Sequence, residues 1–212
     1  MFRRTKSRPW AWGILAALIG LIATGAAQAE PLSGQALAAA LRQGGYVLVM
    51  RHASSPQSPP SAAEAGPDNP NRERQLDEAG RKAAGAMGAA IKALRIPVGE
   101  VWSSPAYRAL QTARLLGAPD PKTAVELGDN GRSMQAVGAD QPAWLKARAA
   151  EPPRPGTDTL IVTHYPNLLA AFGQGVADIT DGEALIFHPT EKGRLDLVGR
   201  IPIEAWPALA AR

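Results

Sequence analysis

Residues 46–52 read YVLVMRH, and this stretch decides the fold. Five consecutive apolar residues bounded by Gly44-Gly45 and a charged pair predict a strand buried on both faces. Strands of that kind belong to α/β folds, in which helices cover both sides of a parallel sheet. Arg51 and His52 follow at the strand's carboxyl end, which is where open α/β sheets bind ligands. A second run of the same type, TLIVT at 159–163, is followed at once by His164.

The pattern around these two runs alternates helix and strand. Ser33 can cap a short helix through Arg42, stopped by Gly44-Gly45. Asp77 can cap a long Ala-rich helix reaching about Leu94, and residues 98–103 read as a short strand. Pro105 suits the first turn of a helix running to Leu116. Residues 123–127 predict a strand, 141–149 a helix before the Pro-rich linker EPPRPG, and 167–172 a further helix. Residues 184–188 and 195–201 close the chain as two strands joined by the turn-prone segment 189–194. The expectation is a single α/β domain over residues 30–212. It is a three-layer sandwich with a mostly parallel central sheet flanked by helices. Residues 54–71 interrupt the pattern, with Pro at 56, 59, 60, 67 and 70. A loop this long beside Arg51-His52 is a lid, a substrate-selecting element or passive slack.

Composition narrows the function classes. The 212 residues carry 23 Lys+Arg against 19 Asp+Glu, with 45% hydrophobic residues and no Cys. The net charge of +4 is unevenly placed. Arg3, Arg4, Lys6 and Arg8 precede any acidic residue, so the chain from Glu30 onward is balanced in sign. A nucleic-acid partner loses its main support on that distribution. The basic start, an uncharged apolar run over residues 10–27 and the small-residue site Ala27-Gln28-Ala29 have the order of a cleavable signal peptide, residues 1–29. An uncleaved membrane anchor is the rival reading. Arg3-Arg4 admits a twin-arginine signal, although the residues after it fit that pattern poorly. The expected location is periplasmic or secreted, with contact to a membrane only through an uncleaved signal segment.

Two imidazoles, His52 and His164, and two guanidiniums, Arg51 and Arg108, fall at the ends of predicted strands. Converging on one rim, they would form a site for a dianion. Arginine offers fixed forks of donors that match phosphate oxygens, and an imidazole can be a covalent nucleophile.

Four segments together resemble the histidine phosphatase (phosphoglycerate mutase-like) superfamily. They are VLVMRHA at 47–53, RQLDEAGRKAA at 74–84, VWSSPAYRALQTA at 101–113 and LIVTHYPN at 160–167. They stand in the family's order and span roughly residues 45–201. With the endings GEALIF and LVGRI, the chain looks most like the small periplasmic phosphatases of that superfamily. The resemblance implies that His52 accepts the phosphoryl group and that Arg51, Arg108 and His164 complete the phosphate pocket. It also implies that Asn167 fills a slot just beyond the second His. Ala53 stands where a Gly is usual.

The proton donor stays open at this point. Glu126 is the nearest counterpart of the acid used by mutase-like members, but AVELGDNGR does not show that motif's flanks. Phytase-like members carry an acid directly after the second His, where this chain has Tyr165. Glu183 is the third option. If the strand at 184–188 runs antiparallel, Glu183 starts on the same rim as His52, and it is preferred slightly over Glu126.

Several other features have plain readings. His188 reads as a structural residue, Arg72 and Arg74 as solvated (Arg74 near the pocket), and Trp102, Trp144 and Trp206 as packing residues. No cluster shows metal spacing and no cofactor is expected. Ser103-Ser104 lacks the setting of a serine-hydrolase elbow. The expected function is an exported, metal-independent phosphomonoesterase, of histidine acid phosphatase type, acting on a small phosphorylated substrate through phosphohistidine at His52. A phosphoryl mutase and a non-catalytic phosphate- or phosphosugar-binding envelope protein are the alternatives.

Overall fold

The computed structural model describes residues 32–129, 138, 140–190 and 193–211. The expected signal segment lies outside the described residues. Strand β1 (Val47–Arg51) is fully buried from Val47 to Met50, as its apolar run requires. Its side chains divide by the two-residue period of a strand. Leu48 and Met50 join one core cluster, with Leu160, Val162, Ala184 and Ile186. Val47 and Val49 join the other, with Ile161, Leu185 and Phe187. The first cluster is covered by helices α1 (Gly34–Leu41), α2 (Glu78–Ala93) and α3 (Tyr107–Leu115), and by α6 (Trp206–Ala210). The second is covered by α4 (Asp140–Ala150) and α5 (Tyr165–Phe172). One sheet between two helical layers is the expected sandwich.

The sheet runs β3-β2-β4-β1-β5-β6, with β2 (Val98–Ser103), β3 (Lys122–Thr123), β4 (Asp158–Thr163), β5 (Ala184–Pro189) and β6 (Leu195–Ile201). Strands β3, β2, β4 and β1 are parallel; β5 is antiparallel to β1, and β6, antiparallel to β5, runs in the direction of β1. The sheet is mostly parallel, as expected, but mixed, since β5 alone runs against the other strands. The hairpin between β5 and β6 joins them without a crossover, which makes those two strands antiparallel to each other.

Three local expectations change. The strand foreseen at 123–127 is only Lys122–Thr123, followed by a 3-10 turn at Val125–Leu127. That turn aims backbone carbonyls at the end of β4 and the start of α5: Leu127 accepts from Thr163 Oγ1 (2.8 Å) and Gly128 from Asn167 Nδ2 (3.0 Å). Pro105 lies ahead of α3, because Ser104 Oγ takes the Ala106 amide and delays the helix. Helix α6 was not foreseen. It is held by Trp206, which is wholly buried against the first core cluster. Trp102 and Trp144 stack edge-to-face with centroids 5.7 Å apart, in keeping with their packing role.

Register places the site. Arg51 pairs with Thr163 across β1 and β4, so His52 and His164 leave the sheet side by side. Ser103 pairs with Val162, and the Ser104 amide donates to the Val162 carbonyl (2.9 Å). On the other flank Met50 faces Ala184, and the Gly182 amide donates to the His52 carbonyl (3.0 Å).

At the opposite end of the sheet Asp158 is fully buried. One oxygen accepts from the Tyr46 amide (2.9 Å), while Oδ2 has no partner among the described residues. Desolvation pushes its carboxyl up to about 7. A carboxyl with a raised folded-state value favours folding below its unfolded value of about 3.9, and that contribution is lost as pH climbs through about 7. Asp158→Asn should therefore unfold several degrees above the parent near pH 8, on the order of 4 kcal/mol at about 1.4 kcal/mol per pKa unit. The gap should close toward about pH 4, where both side chains are neutral in both states. Parallel melting curves for the two proteins across that range would refute the assignment.

Candidate active site

His52, directly after β1, is 5% exposed, and His164, directly after β4, is 1% exposed. Their rings meet edge-to-face with centroids 5.2 Å apart. Between them lies Arg108, from the first turn of α3 and itself buried. Its Nε donates to His52 Nε2 (3.2 Å), and an Nη2 hydrogen reaches His164 Nδ1 (3.1 Å). These bonds define the tautomers. The Ala53 carbonyl, 2.8 Å from His52 Nδ1, can only accept, so Nδ1 carries the proton and Nε2 presents its lone pair. His164 Nδ1 accepts from Arg108, which leaves the Nε2 proton for Ser104 Oγ (2.8 Å).

Electrostatics support the same protonation. Burial holds both imidazoles well below the ordinary histidine value, and further repulsion comes at His52 from His164, Arg108 and Arg51. At His164 it comes from Arg108, Arg74 and Arg51. Both rings are neutral at neutral pH, and the His52 nitrogen facing the pocket is unprotonated and accepts the Arg108 Nε hydrogen.

The helix that carries Arg108 also braces the strand end. Thr112, one turn on, accepts the Ala53 amide at Oγ1 (3.1 Å) and donates to the Arg108 carbonyl (2.8 Å). Arg51 pairs with Asp181 (2.8 Å) and sits over the Tyr165 ring, 5.7 Å from its centroid. Arg108 Nη2 pairs with Asp129, whose Oδ2 is also 3.8 Å from His164 Nδ1. The space these groups leave, bounded by Arg51, His52, Gln57, Arg74, Asp129, His164, Tyr165 and Pro166, is about 10 Å³. That is room for about one water.

The structure thus brings His52, Arg51, Arg108 and His164 together and holds three expected residues apart from them. Glu183 is buried on the same rim, because β5 is antiparallel. However, Oε2 accepts from the Thr180 amide (3.0 Å) and hydroxyl (3.1 Å), and Oε1 accepts from Arg200 Nε (2.7 Å). Those bonds turn the carboxylate away from His52. Glu126 sits half-buried on the 3-10 turn, with no hydrogen bond or ion pair to the four among the described residues. Asn167 spends its amide on Gly128, Thr163 and Glu126, and so braces the segment that leads into Asp129.

Two pocket residues carried little signal. Asp129 lies two residues after the 3-10 turn at Val125–Leu127, three residues beyond the acid that motif comparison favoured. Arg74 is half-buried and lines the pocket rather than facing solvent. Among the described residues no three His, Cys, Asp or Glu are grouped as metal ligands would be.

Comparison with known proteins places the family and the fold. The sequence model described as histidine phosphatase superfamily (branch 1) matches residues 47–156. No curated protein matches the chain. Among solved structures, the protein histidine phosphatase SixA complexed with tungstate superposes with a TM-score of 0.53 at 19% identity, covering 74% of this chain and 97% of that one. SixA from Agrobacterium tumefaciens gives 0.50 at 18%, covering 74% and 98%. At such identities the likeness is one of fold.

Proposed function

Since the chain belongs to the histidine phosphatase superfamily, we propose that it is an exported phosphomonoesterase that works without a metal, His52 being its nucleophile. The observation that carries this reading is the tautomer of His52. Its Nδ1 proton is tied to the Ala53 carbonyl, and the Nε2 lone pair faces Arg108 in the pocket. An attacking nitrogen held that way needs no general base.

The chemistry follows from the contacts. A phosphoryl group enters by displacing the Asp129 carboxylate from Arg108, since the pocket has almost no spare volume. Its oxygens take donors of Arg51 and Arg108, including the Arg108 Nε hydrogen, which leaves His52 Nε2 and so frees that lone pair. His52 Nε2 then forms a bond to phosphorus as the ester P–O bond breaks, and the leaving oxygen takes a proton. We assign that proton to Asp129 in place of Glu183 and Glu126. Asp129 is the acid that lines the pocket, and the proton it passes to the leaving oxygen is the one the substrate monoanion carries in. Water next attacks phosphorus and gives a proton to Asp129, the N–P bond breaks, and phosphate departs. Charge on the equatorial oxygens is met by fixed guanidiniums, the main protein contribution in phosphoryl transfer.

Export rests on the basic, apolar and small-residue order of residues 1–29. Protein recovered from the periplasm should begin at Glu30 and hydrolyse p-nitrophenyl phosphate at an undiminished rate in EDTA. A membrane-bound form that retains Met1 would contradict export, and loss of activity in EDTA that added metal restores would contradict the metal-free mechanism. In single-turnover measurements Asp129→Asn should slow transfer to the enzyme from an alkyl phosphate by about a hundredfold while slowing transfer from p-nitrophenyl phosphate little, because the latter's leaving group needs no proton; the later attack of water should slow equally for both. Equal effects on the two transfers would return the donor role to another acid.

A further inference from the structure

The Pro-rich segment 54–71 is neither slack nor an open flap. Asn69 is buried and clasps Glu73 in both directions, its Nδ2 donating to the Glu73 carbonyl (2.8 Å) and its Oδ1 accepting the Glu73 amide (2.9 Å). Tyr107, beside Arg108 on α3, donates to Asp68 (2.5 Å). At the segment's start Ser54 Oγ donates to Asp77 (2.6 Å), and Ser55 Oγ to the Gln75 carbonyl (2.9 Å). Residues 54–56 are therefore stitched to 73–77, and Arg74 lies inside this seam. Its Nε donates to the Pro56 carbonyl (2.6 Å) and an Nη2 hydrogen to the Ser55 carbonyl (3.3 Å).

Those carbonyls hold the guanidinium at the pocket wall, next to Arg51, His52, Asp129 and His164. Its charge is felt at both His164 and Arg108, where it disfavours a further positive charge. The charge balance shows what it adds. Arg51 is matched by Asp181 and Arg108 by Asp129, so with neutral imidazoles those two pairs sum to zero. Glu73, just behind, has its carboxylate on the Tyr107 amide (3.0 Å). Arg74 adds a further guanidinium to the pocket wall beside those pairs, with Asp129 on the same wall.

Building on the phosphatase reading, we propose that Arg74 is a third guanidinium of the phosphate pocket, contacting the outer oxygens of the bound phosphoryl group and held there by the loop carbonyls of Ser55 and Pro56. Arg108 lies deep and serves the reacting centre; Arg74 lies at the mouth and governs affinity. The seam gives the 54–71 loop a chemical purpose, since it positions a binding cation immediately after the nucleophile's own segment.

Calorimetric titration of the purified protein with inorganic phosphate, together with steady-state kinetics on p-nitrophenyl phosphate, tests the assignment. Arg74→Gln keeps donors for the loop carbonyls and loses the charge. It should weaken phosphate binding about tenfold or more and raise KM in step, with a smaller change in kcat. Arg74→Lys should recover part of that loss, and the difference between Lys and Gln should shrink at high salt. Asn69→Ala, which loosens the loop while keeping the cation, should shift phosphate affinity less than Arg74→Gln does. Two results would overturn the inference: Arg74→Gln binding phosphate within about twofold of the parent, or Lys proving no better than Gln while Asn69→Ala loses as much. If the parent itself neither binds phosphate nor turns over substrate, the phosphatase reading fails first and takes this inference with it.

Discussion

His52→Ala should lose at least about ten-thousandfold in kcat, the scale of loss when a covalent nucleophile is removed. The cause is specific. His52 is the residue whose Nε2 lone pair faces the phosphate pocket, and no neighbouring group can replace it. His164 Nδ1 lies on Arg108 with the Asp129 carboxylate 3.8 Å away, which would repel an incoming phosphoryl group, its Nε2 proton is on Ser104, and Ser104 Oγ is itself taken up by His164 and the Ala106 amide. Phosphate binding should survive in the variant, because Arg51, Arg74 and Arg108 remain. The parent's pH profile carries the same signature. With the imidazole value pushed well below the ordinary 6.5 by burial and by repulsion from His164 and the arginines, His52 stays unprotonated as pH falls through 6.5. The acid limb of kcat/KM, which reports the free enzyme, should lie well below that point. A limb at or above 6.5 would show that the nucleophile is some other, solvated group.

Arg108→Lys is the second large effect. The guanidinium bridges His52, His164 and Asp129 from one planar fork, which an ammonium on a flexible stem cannot reproduce. We expect a rate loss on the order of a hundredfold or more, comparable to removing one oxyanion donor. The variant should also bind inorganic phosphate more weakly although its charge is kept. Near-native rate and affinity would place Arg108 outside the transition state.

What could be read from the chain follows from where the physics is local. The runs at 46–50 and 159–163 announce themselves because a strand buried on both faces leaves no polar position. Asp77 was legible as a cap because an aspartate before an Ala-rich run has an obvious use, and its side chain accepts the Gly80 amide (2.6 Å). The four pocket residues stood at strand and helix ends, where the motifs and the fold agree. Asp129 was missed because its role depends on the 3-10 turn at Val125–Leu127 and on Asn167 bracing that turn from α5, contacts made across some 40 residues. Glu183 was on the rim as reasoned, yet Thr180 and Arg200 claim its oxygens, and neither pairing has a local sequence signature. Arg74 passed for a solvated residue because its seam with Ser55 and Pro56 forms only when a Pro-rich loop folds back on the helix entry.

The central claim is a phosphohistidine at His52, and trapping it is the direct test. Labelled substrate mixed rapidly with the enzyme and quenched in base should leave label on protein through an N–P bond, stable in alkali and labile in acid. Peptide mapping should place it on the fragment containing VLVMRHA, and His52→Ala should carry none. Label on Ser103 or Ser104, label on His164, or turnover persisting in the His52→Ala protein would contradict the account.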